Sequence, residues 1–151
     1  MINAQNCKFV SVTPPAAIVD NAAYTTAEID TLGWDYATIV VYLGATDIAM
    51  AALAVTESDT SGSGHANITG LVWGTSTNID GSTSALPSAT DDNKFVVFEI
   101  SKANRKRYFK VSATAGDGTV GTYMSAVAIL SPSNVNGYSS TTKGCLSVIR
   151  V

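Results

Sequence analysis

Residues 36–44 read YATIVVYLG, and their alternation decides the fold class. Ala37, Ile39, Val41 and Leu43 fall on one side of an extended chain; Tyr36, Thr38, Val40 and Tyr42 fall on the other. Successive side chains of a strand point to opposite faces, so this period of two predicts a strand with one core side and one amphipathic side. KFVVFEI repeats the scheme, setting Val96, Phe98 and Ile100 against Phe95, Val97 and Glu99. RYFKVSAT sets Phe109, Val111 and Ala113 against Tyr108, Lys110 and Ser112. TYMSAVAIL is apolar enough to predict a strand covered on both faces. The terminal stretches CKFVSV and CLSVIRV also read as strands.

The connections carry turn chemistry. DTSGSGH, STNIDGSTS and AGDGTVG supply residues that accept positive φ or hydrogen-bond their own backbone. AGDGTVG between two strong strands predicts a hairpin, and SKANRKR reads as a second hairpin turn. Pro14, Pro15, Pro87 and Pro132 stand outside the apolar runs, where a missing ladder donor costs nothing. TDIAMAALAVTESD fits helical spacing at Ile48, Ala51, Ala52 and Val55, but a turn near Asp47 followed by a strand is the preferred reading. YTTAEIDTLG has room for one helical turn. Residues 57–92 hold the weak strand ANITGLVWG among long polar loops.

About seven to nine strands at this spacing predict an all-β, antiparallel two-sheet sandwich with little or no helix. Jelly-roll and immunoglobulin-like strand orders both satisfy the pattern. Residues 1–21, with TPPAAIVDNAA, suit an extended N-terminal arm, and residues 22–151 read as one sandwich domain.

A chain of 151 residues, 46% hydrophobic and only 14% charged, can bury a substantial core and leaves its surface polar rather than ionic. The N-terminus lacks the pattern of a secretory signal, and no apolar run approaches a membrane span, so no membrane partner is expected. Cys7 and Cys145 make neither a disulfide framework nor a zinc site; two reduced thiols are the plainer reading, one disulfide the other.

Catalytic groups are scarce. His65 is the single histidine and sits in the loop SGSGHAN, with no nucleophile elbow around any serine; it reads as an exposed loop residue. Asp91 and Asp92, or Glu57 and Asp59, could offer oxygens to calcium, but their spacing matches no calcium loop, and turn capping explains them. The glycines of AGDGTVG lead into a strand, whereas a phosphate cradle needs a following helix. No enzyme activity, metal or cofactor is expected.

Six of the nine Lys and Arg residues lie between Lys94 and Lys110 in a chain of net charge -3. Lys102, Arg105, Lys106, Arg107 and Lys110, interleaved with Tyr108 and Phe109, resemble a single-strand-binding surface. The acidic whole, with a pI of about 4.9, speaks against nucleic acid and leaves a solvated turn or an acidic protein partner. Trp34 and Trp73 are candidates for glycan stacking, with core or interface packing the commoner role.

The strings IDTLGWDYATIVVYLGATDIAMAALAVTESDTSG and TSALPSATDDNKFVVFEISKANRKRYFKVSATAGDGTVGTYMSAVAILS, with the terminal GCLSVIRV, resemble small virion structural proteins encoded beside capsid genes in tailed bacteriophages. The resemblance implies a decoration, or cement, protein on the outside of the phage head. Such a protein is a β-rich homotrimer that binds the major capsid protein and clamps capsomers. It transfers no catalytic or ligand-binding residue. On that expectation Lys102, Arg105, Lys106 and Arg107 would dock on the capsid, and Tyr36, Tyr42, Tyr108 and Tyr123 would form the subunit interface. The alternative is a head-fibre or tail-associated module that contacts host-surface glycans through Trp34 and Trp73. An envelope hydrolase using His65 or an acid is the remaining reading.

Overall fold

A computed structural model of the chain describes residues 6–133. Eight strands run in order among the described residues: β1 Lys8–Thr13, β2 Ile29–Asp30, β3 Tyr36–Thr46, β4 Ala52–Ser58, β5 Ala66–Val72, β6 Phe95–Ser101, β7 Tyr108–Thr114 and β8 Thr122–Ser131. A short 3-10 turn, Ala89–Asp91, precedes β6. No α-helix occurs among the described residues.

The strands form two four-stranded antiparallel sheets, a first in the order β1-β8-β3-β6 and a second in the order β2-β7-β4-β5. Each strand of the first half pairs with its mirror in the second: β1 with β8, β2 with β7, β3 with β6, β4 with β5. Additional β3–β8 and β4–β7 ladders complete the sheets. One long hairpin folded over in this way is the jelly roll, so this strand order, not the immunoglobulin-like one, is adopted.

The core lies between the sheets and is built from the predicted alternation. Ala37, Ile39, Val41 and Leu43 of β3 are buried, as are Val96, Phe98 and Ile100 of β6 and Phe109, Val111 and Ala113 of β7. Phe109, Ile29, Ile39, Leu43, Met50, Leu53 and Ile68 are nearly or fully sealed from water. Each contributes about 1.5–3 kcal/mol through removal of its apolar surface. Trp73 closes one side, packed edge-on to Phe98 with ring centroids 5.8 Å apart.

Several expectations are corrected. AGDGTVG is not a hairpin: it carries the chain from β7 in the second sheet to β8 in the first. SKANRKR makes the same kind of crossing, from β6 to β7. Turn chemistry reverses a chain equally well within a sheet or between sheets, so local sequence does not choose. YTTAEIDTLG forms no helical turn; Tyr24 and Ala27 donate backbone hydrogen bonds to Ala113 and Val12, which hold the segment extended. β8 is buried on one face only, with Tyr123 exposed and Ser125, Val127 and Ile129 half-buried on the other. The turn-then-strand reading after Asp47 corresponds to β4.

From Lys8 the N-terminal stretch runs along its own domain. β1 joins the first sheet, Val12 enters the core, and Val19 exchanges backbone hydrogen bonds with Thr122. The expected strand CLSVIRV and any pairing of Cys145 lie outside the described residues.

Candidate functional site

The basic segment is answered largely from within the chain. Arg107 grips Asp30 with both arms, Nε to Oδ1 at 2.8 Å and a terminal nitrogen to Oδ2 at 2.7 Å. That hydrogen bonding lowers the Asp30 carboxyl from 3.8 to about 2 and raises the guanidinium above its ordinary value. The guanidinium also lies 4.9 Å from the Tyr108 ring centroid, a cation–π distance. Glu57 of β4 takes the next two residues, accepting from Arg105 at 3.4 Å and from the Lys106 backbone N–H at 3.1 Å. Of the four residues expected to dock, only the Lys102 and Lys106 ammonium groups have no carboxylate partner among the described residues.

The acids are similarly spent on the fold. Asp91 accepts from the Ser88 amide at 2.9 Å and from Lys94 at 3.1 Å, and its pKa falls for those reasons in that order. Asp92 accepts from the Thr46 amide at 2.8 Å. AGDGTVG does cradle an anion, but the anion is the chain's own Asp47 carboxylate, bonded by the Thr119 and Val120 amides at 2.6 Å each. No cluster of three metal-ligating side chains occurs among the described residues.

His65 is not the exposed loop residue expected; it is partly buried. Its Nε2 lies 2.9 Å from Glu28 Oε2, and its Nδ1 lies 3.4 Å from Thr56 Oγ1. The Ser61 hydroxyl (2.6 Å) and the Gly62 amide (2.8 Å) also donate to Glu28, and with His65 they hold its carboxyl below the usual range. A hydroxyl, an imidazole and a carboxylate in line resemble a hydrolytic triad. Thr56, however, donates its proton to the Lys110 carbonyl at 3.1 Å, and Ser61 donates to Glu28 rather than to the histidine. The group acts as a clamp that ties the 59–65 loop to the segment before β2.

The large accessible feature is the outer face of the first sheet. Register places Phe9, Ile129, Thr38 and Glu99 in one row across it. Ser11, Val127, Val40 and Val97 form the next row; Ser125, Tyr42 and Phe95 continue a third. Phe9 is 59% exposed, Phe95 65%, and Val97, Tyr36, Tyr42 and Tyr123 each 40% or more. Glu99 is the one carboxylate or cation among the outward strand positions. Tyr42 stacks against Phe95 at 4.8 Å between centroids.

Three of the four tyrosines expected at a subunit interface, Tyr36, Tyr42 and Tyr123, stand on this face. Tyr108 is on the second sheet beneath Arg107, so the four do not make one surface. Phe95 and Val97 join the other three, as KFVVFEI signals by being apolar on both of its faces; Phe9 joins only through the β1–β8 ladder. Trp34 and Trp73 line separate hollows. Trp34 shares one of about 380 Å³ with Asp35, Tyr36 and Lys102; Trp73 shares one of about 510 Å³ with Asn78, Asp80, Phe95 and Glu99.

A scan against protein-family models matches none, and a search of curated proteins finds no significant relative.

Proposed function

We propose that this chain is a non-enzymatic decoration protein of a bacteriophage head, docking through the outer face of its first sheet on the major capsid protein. The observation that carries the reading is that face: an apolar, aromatic-rich surface with one charge, on a domain whose polar clusters are committed to its own fold. Monomeric soluble domains rarely leave such a patch in water, and rims of Tyr and Phe over aliphatic rows are what protein interfaces select. A clamp between capsomers needs area and shape, which a rigid β-sandwich supplies, and it needs no catalytic group. Jelly rolls recur among virion proteins, a fold-level association that agrees with the resemblance of the sequence. The intramolecular pairing of Arg105 and Arg107 moves the docking role from the basic turn to the sheet, leaving Lys102 and Lys106 to steer approach.

Purified chain mixed with expanded heads that lack it tests the reading. Saturable binding at a fixed ratio to the major capsid protein, with a raised head melting temperature, is expected; binding should be lost in the double substitution Phe9→Glu, Tyr42→Glu. Heads that bind nothing, or that bind the double variant equally well, would refute it.

A second reading rests on the hollow beside Trp73, whose aromatic wall and Asn78, Asp80 and Glu99 suit a glycan of the host surface. Quenching or enhancement of tryptophan fluorescence by host polysaccharide, abolished by Trp73→Ala, would favour it over the capsid.

A further inference from the structure

Four strands end the two sheets, and three are guarded against pairing. β1 starts at Lys8, bulges between Ser11 and Thr13, and runs into Pro14 and Pro15. β2 is two residues long. β5 has an irregular register and Gly70 at φ 91°. β6 carries the charge of Glu99 but no break in its backbone: seven regular residues, FVVFEIS, without proline, glycine or bulge.

Among the described residues no strand pairs with β6 on its far side. The Lys102 amide donates to the Asp35 carbonyl and the Leu43 amide to the Lys94 carbonyl, which fixes the phase of the β3–β6 ladder. Hydrogen-bonded pairs alternate along an antiparallel ladder, so Phe95, Val97, Glu99 and Ser101 turn their N–H and C=O groups away from β3. Phe95, Val97, Glu99 and Ser101 are all exposed, and a hollow of about 510 Å³ separates this edge from the loop carrying Ile79.

We propose that β6 pairs antiparallel with β6 of a second copy of this chain, about a two-fold axis through Val97, merging two four-stranded sheets into one continuous sheet. Self-complementarity selects this occupant. The row Val127–Val40–Val97 ends at the open edge, and the two-fold sets the partner's Val97 against it, so the valines continue across the junction. Glu99 then faces the partner's Phe95, keeping the two carboxylates apart. A register centred on Glu99 would oppose like charges, and one centred on Phe98 would set Val97 against the partner's Glu99. The pairing joins copies two by two, unlike the three-fold assembly that the family resemblance implies. It does not rest on the docking reading, and its test contains no phage heads.

Sedimentation equilibrium of the full chain over a wide concentration range, with amide hydrogen exchange, decides it. A dimer is expected, with amides of Phe95, Val97 and Glu99 protected only where it is populated. Val97→Lys places like charges face to face at an outward position and should weaken association roughly tenfold or more. Val97→Pro removes an outward N–H that the β3 ladder does not use, and should do the same; V97K carries the test whatever the stability of V97P. Phe95→Lys meets the partner's Glu99 and should leave the dimer intact. A chain monomeric throughout, a three-fold species, or a dimer indifferent to V97K would overturn the proposal.

Discussion

The Asp47 carboxylate, just past β3, accepts the Val120 backbone N–H at 2.6 Å, and so fastens the crossing between the sheets to the end of the strand that β8 will join. The same oxygen takes the Thr119 amide, and Asp20 takes Gly118 at 3.2 Å. Glycine is required where the loop passes closest: a Cβ at Gly118 would lie 2.3 Å from Asp47 Oδ2, and one at Gly121, at φ 93°, would lie 2.4 Å from the Val19 carbonyl. Anion and amides thus decide where the chain changes sheets.

Asp47→Asn should destabilise the chain at neutral pH. Hydrogen bonds from Val120, Gly121 and Thr119 hold the Asp47 carboxyl below its ordinary value, so its contribution is present above that value and is lost as pH falls through the folded-state pKa. Denaturant titrations should show wild type and D47N converging as the pH falls through that folded-state value; a gap independent of pH would contradict the carboxylate's role.

Gly116→Ala should cost roughly 1–3 kcal/mol, because overpacking against fixed backbone forces a shift. The new Cβ would sit 2.3 Å from the Ala49 carbonyl oxygen, which belongs to main chain and cannot rotate away. Chemical denaturation measures it, and a neutral result would show that the loop relaxes freely.

Two phenylalanines separate core from face. Phe109 has no exposure and Phe109→Ala should lose about 3–5 kcal/mol, whereas Phe95, 65% exposed, should cost the monomer little on truncation. Thermal melts at concentrations where the chain is monomeric provide the comparison.

Reversing charge in the basic turn should be unequal. Arg107→Glu sets a carboxylate against Asp30 and should lower the melting temperature, while Lys102→Glu should leave it unchanged. The Asp30–Arg107 pair is about 40% exposed on both sides, so solvent screening keeps its worth small. Its share is present above the ordinary Asp30 value of 3.8 and disappears as pH approaches about 2. Melting curves across pH and salt check both statements.

Glu28→Gln should loosen the 59–65 loop without unfolding the sandwich, since it weakens the acceptor shared by Ser61, Gly62 and His65. Limited proteolysis should then cut within that loop sooner than in wild type; an unchanged cleavage rate would show the loop is held by other contacts.

What the sequence determined by itself was the strand content and the buried side of β3, β6 and β7. Both follow from a period of two, a property of neighbouring residues, and Ile39, Phe98 and Phe109 all lie where it sends them. Tertiary structure alone decided which strands are partners, because turns such as AGDGTVG and SKANRKR have the same local chemistry whether they close a hairpin or cross a sandwich. It also decided the fate of the charges. Arg107 and Asp30 are 77 positions apart and Val120 and Asp47 are 73 apart, and only the folded sheets bring each pair within hydrogen-bond reach. The candidate face was half legible: its tyrosines could be read from β3 and β8, but the rows that join Phe9, Val127, Val40 and Val97 exist only once register is set. Pairing is long-range, and periodicity is local.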